Sequence, residues 1–261
     1  MVGHIPLEDG ILVRIQVPQP KFRIRFLARD AWKIKNMKTI VITGASRGIG
    51  LATAKKFLAE GWRVIGTYLN TAIPIQDENL TPIKYDQGDS KRIAQAVEEI
   101  KKVAPKIDAL INNAGIILDG LDETINMDKI RKTFEVDLFG VIDLTEKLSS
   151  LLNPEAHVVN IDSLYGSFSF PIDDDSSSAY RMAKAALNMY TRTLAYRLKN
   201  KEVVVSSLDP GWVKTDMGNL AATETLKPDR TPEEAAEDIF NLVTREKETG
   251  QFWKEGKKTD W

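Results

Sequence analysis

The sequence predicts an α/β fold: one doubly wound parallel sheet with helices on both faces. From Met37 onward, short β-branched runs alternate with segments of helical spacing, the order that produces a parallel sheet. The first strand-to-helix turn, Thr43-Gly44-Ala45-Ser46-Arg47-Gly48-Ile49-Gly50, is glycine-rich, as a turn that lets a ligand approach the backbone must be. The 261 residues suffice for one large domain, and 43% hydrophobic with 28% charged residues is ordinary for a soluble globular protein.

The elements follow in order. Thr39-Ile40-Val41-Ile42 reads as the first strand, and Leu51 to Glu60 as a helix that stops at Gly61. Trp62 to Tyr68 is a second strand, which completes a βαβ unit. Thr81 to Asp86 is a third strand ending in an acid. Ser90 to Val103 has helical spacing (Ile93, Ala96, Val97, Ile100), with its cap at Asp89 or Ser90. Ile107 to Gly115 is a strand running into a small-residue turn, and Met127 to Leu151 a long helix. Val158 to Ser163 is a fifth strand, with His157 as its entry residue. Asp173 to Ser178 is a polar loop, and Ala179 to Leu198 is helical. Val203 to Leu208 is a sixth strand, punctuated by Pro210-Gly211. Thr231 caps a final helix with Pro232 at its first position.

Residues 1–36 do not match the rest. They hold seven Lys/Arg against three acids and no Ser or Thr. A transit peptide would be Ser-rich and a signal peptide would need a longer apolar run. The expectation is an appended arm, or an upstream start that is not used, with the domain proper spanning 37–261.

Several function classes are disfavoured. A net charge of −1 gives no reason to expect nucleic acid or an acidic membrane as partner. No apolar run reaches the ~18 residues of a membrane span. With no cysteine and only His4 and His157, thiol catalysis, cysteine-ligated metal, a histidine metal cluster and a Ser-His-Asp hydrolase have almost nothing to work with. A cytoplasmic protein without a metal is expected.

Gly44 to Gly50, Asn112 to Gly115, Ser163 and Pro210-Gly211 all fall just past strand ends, on the rim where open α/β sheets bind ligands. The unpaired N–H groups of the helix after Gly50 suit a phosphate. Tyr180 and Lys184 share a helix face at i,i+4 spacing. An ammonium beside a phenol stabilises the phenolate, which makes Tyr180 a proton donor or acceptor.

Together, TGASRGIG at 43–50, NNAG at 112–115, Ser163, Tyr180-x-x-x-Lys184 and PGWVKTD at 210–216 resemble the short-chain dehydrogenase/reductase family, in that family's order and at nearly its spacing. The resemblance covers 37–261, and the ending Gly250-Gln251-Phe252-Trp253 to Trp261 is similar to the carbonyl-reductase-like and C-factor-like members. It implies a Rossmann-type fold, a nicotinamide cofactor and reversible reduction of a carbonyl to an alcohol. By the same resemblance, Gly44, Ser46, Arg47, Ile49 and Gly50 would surround the cofactor's phosphates and adenosine. Asp86 would meet the adenine, and Asn112, Ala114 and Gly115 would line the ribose. Pro210, Gly211, Val213 and Thr215 would hold the nicotinamide amide. Tyr180 would protonate the carbonyl oxygen, Lys184 would lower the tyrosine pKa and hold the nicotinamide ribose, and Ser163 would orient the carbonyl.

NAD-preferring members need an acid at the end of the second strand. Tyr68-Leu69-Asn70 stands there and Arg47 is near enough to pair with a 2′-phosphate, so NADP(H) is expected over NAD(H). Two departures from the family pattern stand out. Asp137, in Asp137-Leu138-Phe139-Gly140, replaces the family's asparagine, where it could serve a relay to Lys184, pair with the lysine and dampen it, or face elsewhere. Ser163 and Tyr180 are also a few residues further apart than usual, the excess being 173–178. The expected activity is NADPH-dependent reduction of a small or medium aldehyde or ketone. The rival, favoured by Asp137, is a nucleotide-binding regulatory protein that turns over little. Residues 216–228 form the expected lid, where Met217, Leu220 and Leu226 suit either an apolar substrate or internal packing. A homodimer or homotetramer through the helices near 127–151 and 179–198 follows from the resemblance.

Overall fold

β1 (Thr39–Ile42) is a β-branched run buried on both faces, as a central parallel strand must be. The computed structural model in which it lies describes residues 37–122, 124–172 and 176–261. Residues 1–36, and the acids at 173–175 in the predicted polar loop, lie outside the described residues. β2 (Arg63–Tyr68) and β3 (Leu80–Lys84) extend the sheet on one side of β1. β4 (Ile107–Asn112), β5 (Leu152–Ile161), β6 (Val204–Asp209), β7 (Gln251–Lys254) and β8 (Lys257–Thr259) extend it on the other. The order is β3-β2-β1-β4-β5-β6-β7-β8, parallel except for the β7–β8 hairpin. The direction of winding reverses between β1 and β4, which opens a crevice at the carboxyl ends of those strands.

α1 (Gly48–Ala59) and α6 (Pro232–Arg245) cover one face. Phe57 of α1 packs edge-on against both Trp62 and Phe240, at 5.0 and 5.2 Å between ring centres. The other face carries α2 (Ser90–Val103), α4 (Gly140–Leu148) and α5 (Ser178–Leu198). α2 buries Ile93, Ala96, Val97 and Ile100, the stripe its spacing predicts, and the Asp89 side chain caps it through the amides of Lys91 and Arg92. α6 begins with a full capping box between Thr231 and Glu234, with Pro232 in its first turn.

Three expectations are corrected. The predicted helix from Met127 to Leu151 is α3 (Met127–Phe134), a π-helical turn over Glu135–Phe139, and then α4, which ends at Leu148. The cause lies across the fold. Gln87 Nε2 donates to the carbonyls of Val136 and Ala114, both at 2.8 Å, and so takes an oxygen out of the helical ladder. A Cβ on Gly140 would stand 2.0 Å from the Gln87 carbonyl oxygen, so only glycine lets the helix pass. The fifth strand starts at Leu152, not Val158, which puts His157 inside it. His157 is fully buried with Nε2 2.9 Å from Ser206 Oγ, and burial pushes its imidazole down to about 3. The Asn153-Pro154-Glu155 stretch, where β4–β5 pairing shifts register and Glu155 adopts φ +62°, hid the strand's first half from a period-2 reading. β7 and β8 were not expected at all. β7 is only four residues long and buries Phe252 and Trp253 by adding to the edge of β6.

Gly140→Ala should destabilise the protein by roughly 3 kcal/mol, the upper range for overpacking, because the added methyl meets backbone rather than a yielding side chain. Urea unfolding is the check.

Candidate active site

The crevice between β1 and β4 is stitched by hydroxyl and amide groups. Thr43 Oγ1 accepts from the amides of Asn113 and Ala114, both at 2.9 Å, and Asn113 Nδ2 donates to the Thr43 carbonyl at 2.8 Å. The glycine-rich turn lies directly on this seam. Gly44 has φ +69°, and a Cβ on Gly50 would fall 2.2 Å from the Gly44 oxygen. α1 therefore starts hard against the turn. Its N-cap residue, Arg47, makes no side-chain capping bond and its first turn holds no acid, so the positive end of the helix faces the crevice without a carboxylate of its own. A tight glycine cradle at an uncapped helix start fits the pyrophosphate of a dinucleotide.

The crevice widens into a cavity of about 1110 Å³. The predicted site residues all line it except Gly50 and Asn112. Gly50 acts one step back, by allowing the close approach just described. Asn112 is buried and its Nδ2 is committed to Thr145 Oγ1 at 2.9 Å and Asn160 Oδ1 at 2.8 Å, so its neighbour Asn113 occupies the cavity wall instead. Asp86 borders the cavity with Oδ1 taken by the Gly88 amide at 2.9 Å. Thr215 comes from the opposite wall to meet the turn: a Cβ on Gly48 would be 3.1 Å from its Cγ2. Beside it, Arg47 Nη1 reaches Asp216 Oδ2 at 2.7 Å, with both side chains about three-quarters exposed. Pro210 and Gly211 are held from behind by Arg230, whose Nη1 donates to the Pro210 oxygen at 2.6 Å while Nη2 pairs with Asp238. Val213 is buried and bridges to Arg230 as an isolated parallel pair.

Ser163, Tyr180 and Lys184 come together on the cavity floor. Ser163 Oγ accepts from the Tyr165 amide at 3.2 Å, which leaves its own hydrogen to donate. Lys184 is buried, its Nζ 2.9 Å from the Ile161 carbonyl and 5.4 Å from the centre of the Tyr180 ring. Gly166 permits this: a Cβ there would lie 2.5 Å from the Lys184 carbonyl carbon. α5 is capped from a distance. Its own N-cap, Ser177, makes no capping bond, and Asp119, far away in sequence, accepts from the Ala179 amide at 2.5 Å.

Three buried carboxylates surround this one ammonium. Asp137, on the π-helical turn, accepts from the Ile116 amide at 2.9 Å through Oδ1, while Oδ2 has no protein partner. Burial pushes its carboxyl up to about 6, against the pull of Lys184. Asp162, between the Ser163 amide and Ser207 Oγ, is pushed by burial up to about 7, and Asp209 is also raised by burial. Burial alone would lower the Lys184 ammonium, but Tyr180 and the three acids hold it above its ordinary value. Confinement pushes the Tyr180 phenol up to about 12. Lys184 pulls it down, as its position in the sequence predicts, and the three carboxylates oppose that pull. At neutral pH Tyr180 is therefore a phenol, the form that gives a proton.

Comparisons with known proteins show the family and the fold. A family model described as short chain dehydrogenase matches residues 38–225. Protein FixR of Bradyrhizobium diazoefficiens is 33% identical over 79% of this chain and 80% of its own. Dehydrogenase/reductase SDR family member 7B of Rattus norvegicus is 29% identical over 87% and 76%. A short chain dehydrogenase from Burkholderia cenocepacia, solved in complex with NADP, superimposes with a TM-score of 0.72 at 25% identity, covering 83% of this chain and 95% of that one. The chain belongs to the short-chain dehydrogenase family, whose members are NAD(P)-dependent oxidoreductases on a Rossmann-type sheet.

Asp162, Asp209, Gln87 and Asp119 escaped the sequence-based expectations. The first two were legible in principle, as acids at the ends of adjacent strands (Ile161-Asp162, Leu208-Asp209). Gln87 and Asp119 act across long sequence separations and left no local signal.

The Asp137 carboxyl binds its proton more tightly in the folded chain, at about 6, than its ordinary 3.8. Its contribution to stability is therefore lost as pH rises from about 4 through 6. Asp137→Asn keeps the acceptor for Ile116 and removes that loss. The variant should match wild type near pH 4 and exceed it by about 2 kcal/mol at pH 7.5 in urea unfolding.

Proposed function

We infer that this chain is an NADPH-dependent reductase of a small or medium aldehyde or ketone, acting in the cytoplasm. The observation that carries this reading is the convergence of the glycine cradle and of Ser163, Tyr180 and Lys184 on one cavity. The cradle from Gly44 to Gly50 would hold a nicotinamide dinucleotide, which when bound would supply the hydride for the carbonyl carbon. Ser163 donates to the carbonyl oxygen and orients it. Tyr180 gives that oxygen its phenolic proton. Lys184 stabilises the phenolate left behind and holds the nicotinamide ribose. Asp137, buried beside Gly115, tunes the charge that Lys184 presents.

Gly44, Ser46, Ile49 and Gly50 form the phosphate cradle, directly or by allowing close approach. Asp86, Ala114 and Gly115 take the adenine and ribose, and Pro210, Gly211, Val213 and Thr215 take the nicotinamide amide. Asn112 serves by fixing the end of β4. The preference for NADPH rests on the lack of an acid at Tyr68-Leu69-Asn70 and on Arg47, and the NADP bound in the Burkholderia relative is consistent with it. A second copy of the chain is expected on the α4 and α5 side, where Phe139, Met189 and Tyr196 are exposed. The rival reading, a regulatory protein with little turnover, draws on the acid at 137, and the first test below separates the two.

Tyr180→Phe should lower kcat by 10²–10⁴-fold, the range for loss of a positioned proton donor. NADPH affinity by fluorescence titration should stay within about twofold of wild type, because the ring remains. Retained turnover would remove Tyr180 from the chemistry. Asp216 holds the guanidinium that the 2′-phosphate needs, so Asp216→Asn should tighten NADPH binding about two- to fivefold, the equivalent of an exposed ion pair of ~0.2–1 kcal/mol. NADH affinity should not move. An equal change for both cofactors would disconnect Arg47 from the 2′-phosphate.

A further inference from the structure

Part of the cavity lining is apolar. Leu164 and Phe170 from the segment after β5, Trp212 and Leu226 from the segment after β6, and Ile117 from the segment after β4 wall its outer end. At about 1110 Å³ it exceeds the ~300–1,000 Å³ of a single small-ligand site, so it has room for a second ligand beside a dinucleotide.

The same three segments also present large apolar side chains to solvent. Phe168 is 89% exposed, Leu121 and Ile172 are 77% exposed, and Ile125 and Leu220 are more than half exposed. Single exposed apolar residues are ordinary, but here each of the three segments that line the cavity also carries at least one more than half exposed. Among the described residues, α1, α2 and α6 expose none of comparable size. Nor are these side chains on loose tips. Ser167 Oγ donates to the Asp260 carbonyl at 3.1 Å and the Ser169 amide to the Trp261 carbonyl at 3.3 Å, so Phe168 is held outward between two anchored neighbours. Trp212 Nε1 donates to the Gly218 carbonyl at 2.7 Å and fixes the segment that carries Leu220. Leu226 both lines the cavity and is 64% exposed, so apolar surface continues from inside to outside at that side chain.

Charge narrows the occupant. Residues 116–126 and 164–177 together hold six acids and no Lys or Arg. Among the described residues Asp119 caps α5 and Asp122 pairs with Lys129, and neither segment supplies a Lys or Arg to hold an anionic tail. We propose that the substrate is a carbonyl compound with an extended, uncharged apolar arm: its C=O sits at Ser163 and Tyr180, and its arm leaves past Phe170 and Leu226 to lie on the rim formed by Phe168, Leu121 and Ile172. This assignment rests on the reductase reading above and adds the class of substrate to it.

The test uses the full chain, NADPH and straight-chain aldehydes from propanal to decanal. The ratio kcat/KM should climb about two- to fourfold per added methylene, the yield of burying each CH₂. A terminal carboxylate on a chain of equal length should cancel the gain. The double variant Phe168→Ser with Leu121→Ser should lose most of the gain on decanal and keep wild-type activity on propanal. A flat dependence on chain length overturns the assignment, as does a double variant that loses both aldehydes equally. Co-sedimentation of the wild type with phosphatidylcholine vesicles, abolished in the double variant, would hand the rim to a lipid surface and overturn it too. A separate readout distinguishes failure of the reductase reading itself. Decanol and propanol are titrated without cofactor while tryptophan fluorescence is followed. Tight decanol binding that the double variant loses upholds the apolar-arm site even where no aldehyde is turned over, and equal weak binding of both alcohols overturns it.

Discussion

The seam between the β1 and β4 ends, where Asn113 donates from its amide and Nδ2 to the Thr43 hydroxyl and carbonyl, is the constraint on which the site depends. Winding reverses between these strands, so their following segments diverge and leave a crevice that backbone alone would not close. The Thr43 hydroxyl accepts from two amides of the β4 turn, and Asn113 Nδ2 adds a third bond in the same direction, to the Thr43 carbonyl. With the two turns locked, Gly50 can be driven against the Gly44 oxygen and α1 can present its start to the crevice. A side chain at position 50 would have to push α1 away, and the helix end would no longer face the cavity.

The second organising feature is an imbalance of buried charge. Lys184 is one ammonium among Asp137, Asp162 and Asp209. Three ionised carboxylates and one cation in a low-dielectric floor would be costly, so burial drives the acids upward and the cluster retains protons near neutrality. Tyr180 is kept protonated chiefly by its own burial, with the carboxylates adding to that where they are ionised, and the local charge depends on pH in the range where Asp137 and Asp162 titrate. The π-helical turn belongs to the same device. Gln87 captures the Val136 carbonyl and Gly140 allows the helix to pass the Gln87 backbone, and Asp137 sits in the turn thus formed.

The outer end of the cavity follows different physics. Its walls come from segments held by backbone carbonyls and remote caps, such as Asp119 on the start of α5 and the Asp260 and Trp261 carbonyls on 167–169. These anchors hold large apolar side chains outward where an unanchored loop would fold them in. The polar floor draws on α5 and the π-helical turn as well as on the strand ends, whereas the apolar part of the lining comes from the segments after β4, β5 and β6.

Much was determined by the sequence alone. Alternating β-branched runs and helical stripes, such as Ile93, Ala96, Val97 and Ile100, specify local structure because burial on a sheet or a helix face demands those periods. The glycine turn, the Tyr180/Lys184 spacing and the Thr231/Pro232 start likewise carry their meaning in adjacent residues. What only the tertiary structure decided depends on contacts between distant positions. The break of the long helix needs Gln87, the removal of Asn112 from the cavity wall needs Thr145 and Asn160, and the cap of α5 needs Asp119. The direction of the Tyr180 shift is the sharpest case. The i,i+4 lysine predicts a lowered pKa, yet burial and the carboxylates from three other elements outweigh it. Desolvation and the sum of nearby charges belong to the assembled fold, and no local pattern of residues encodes them.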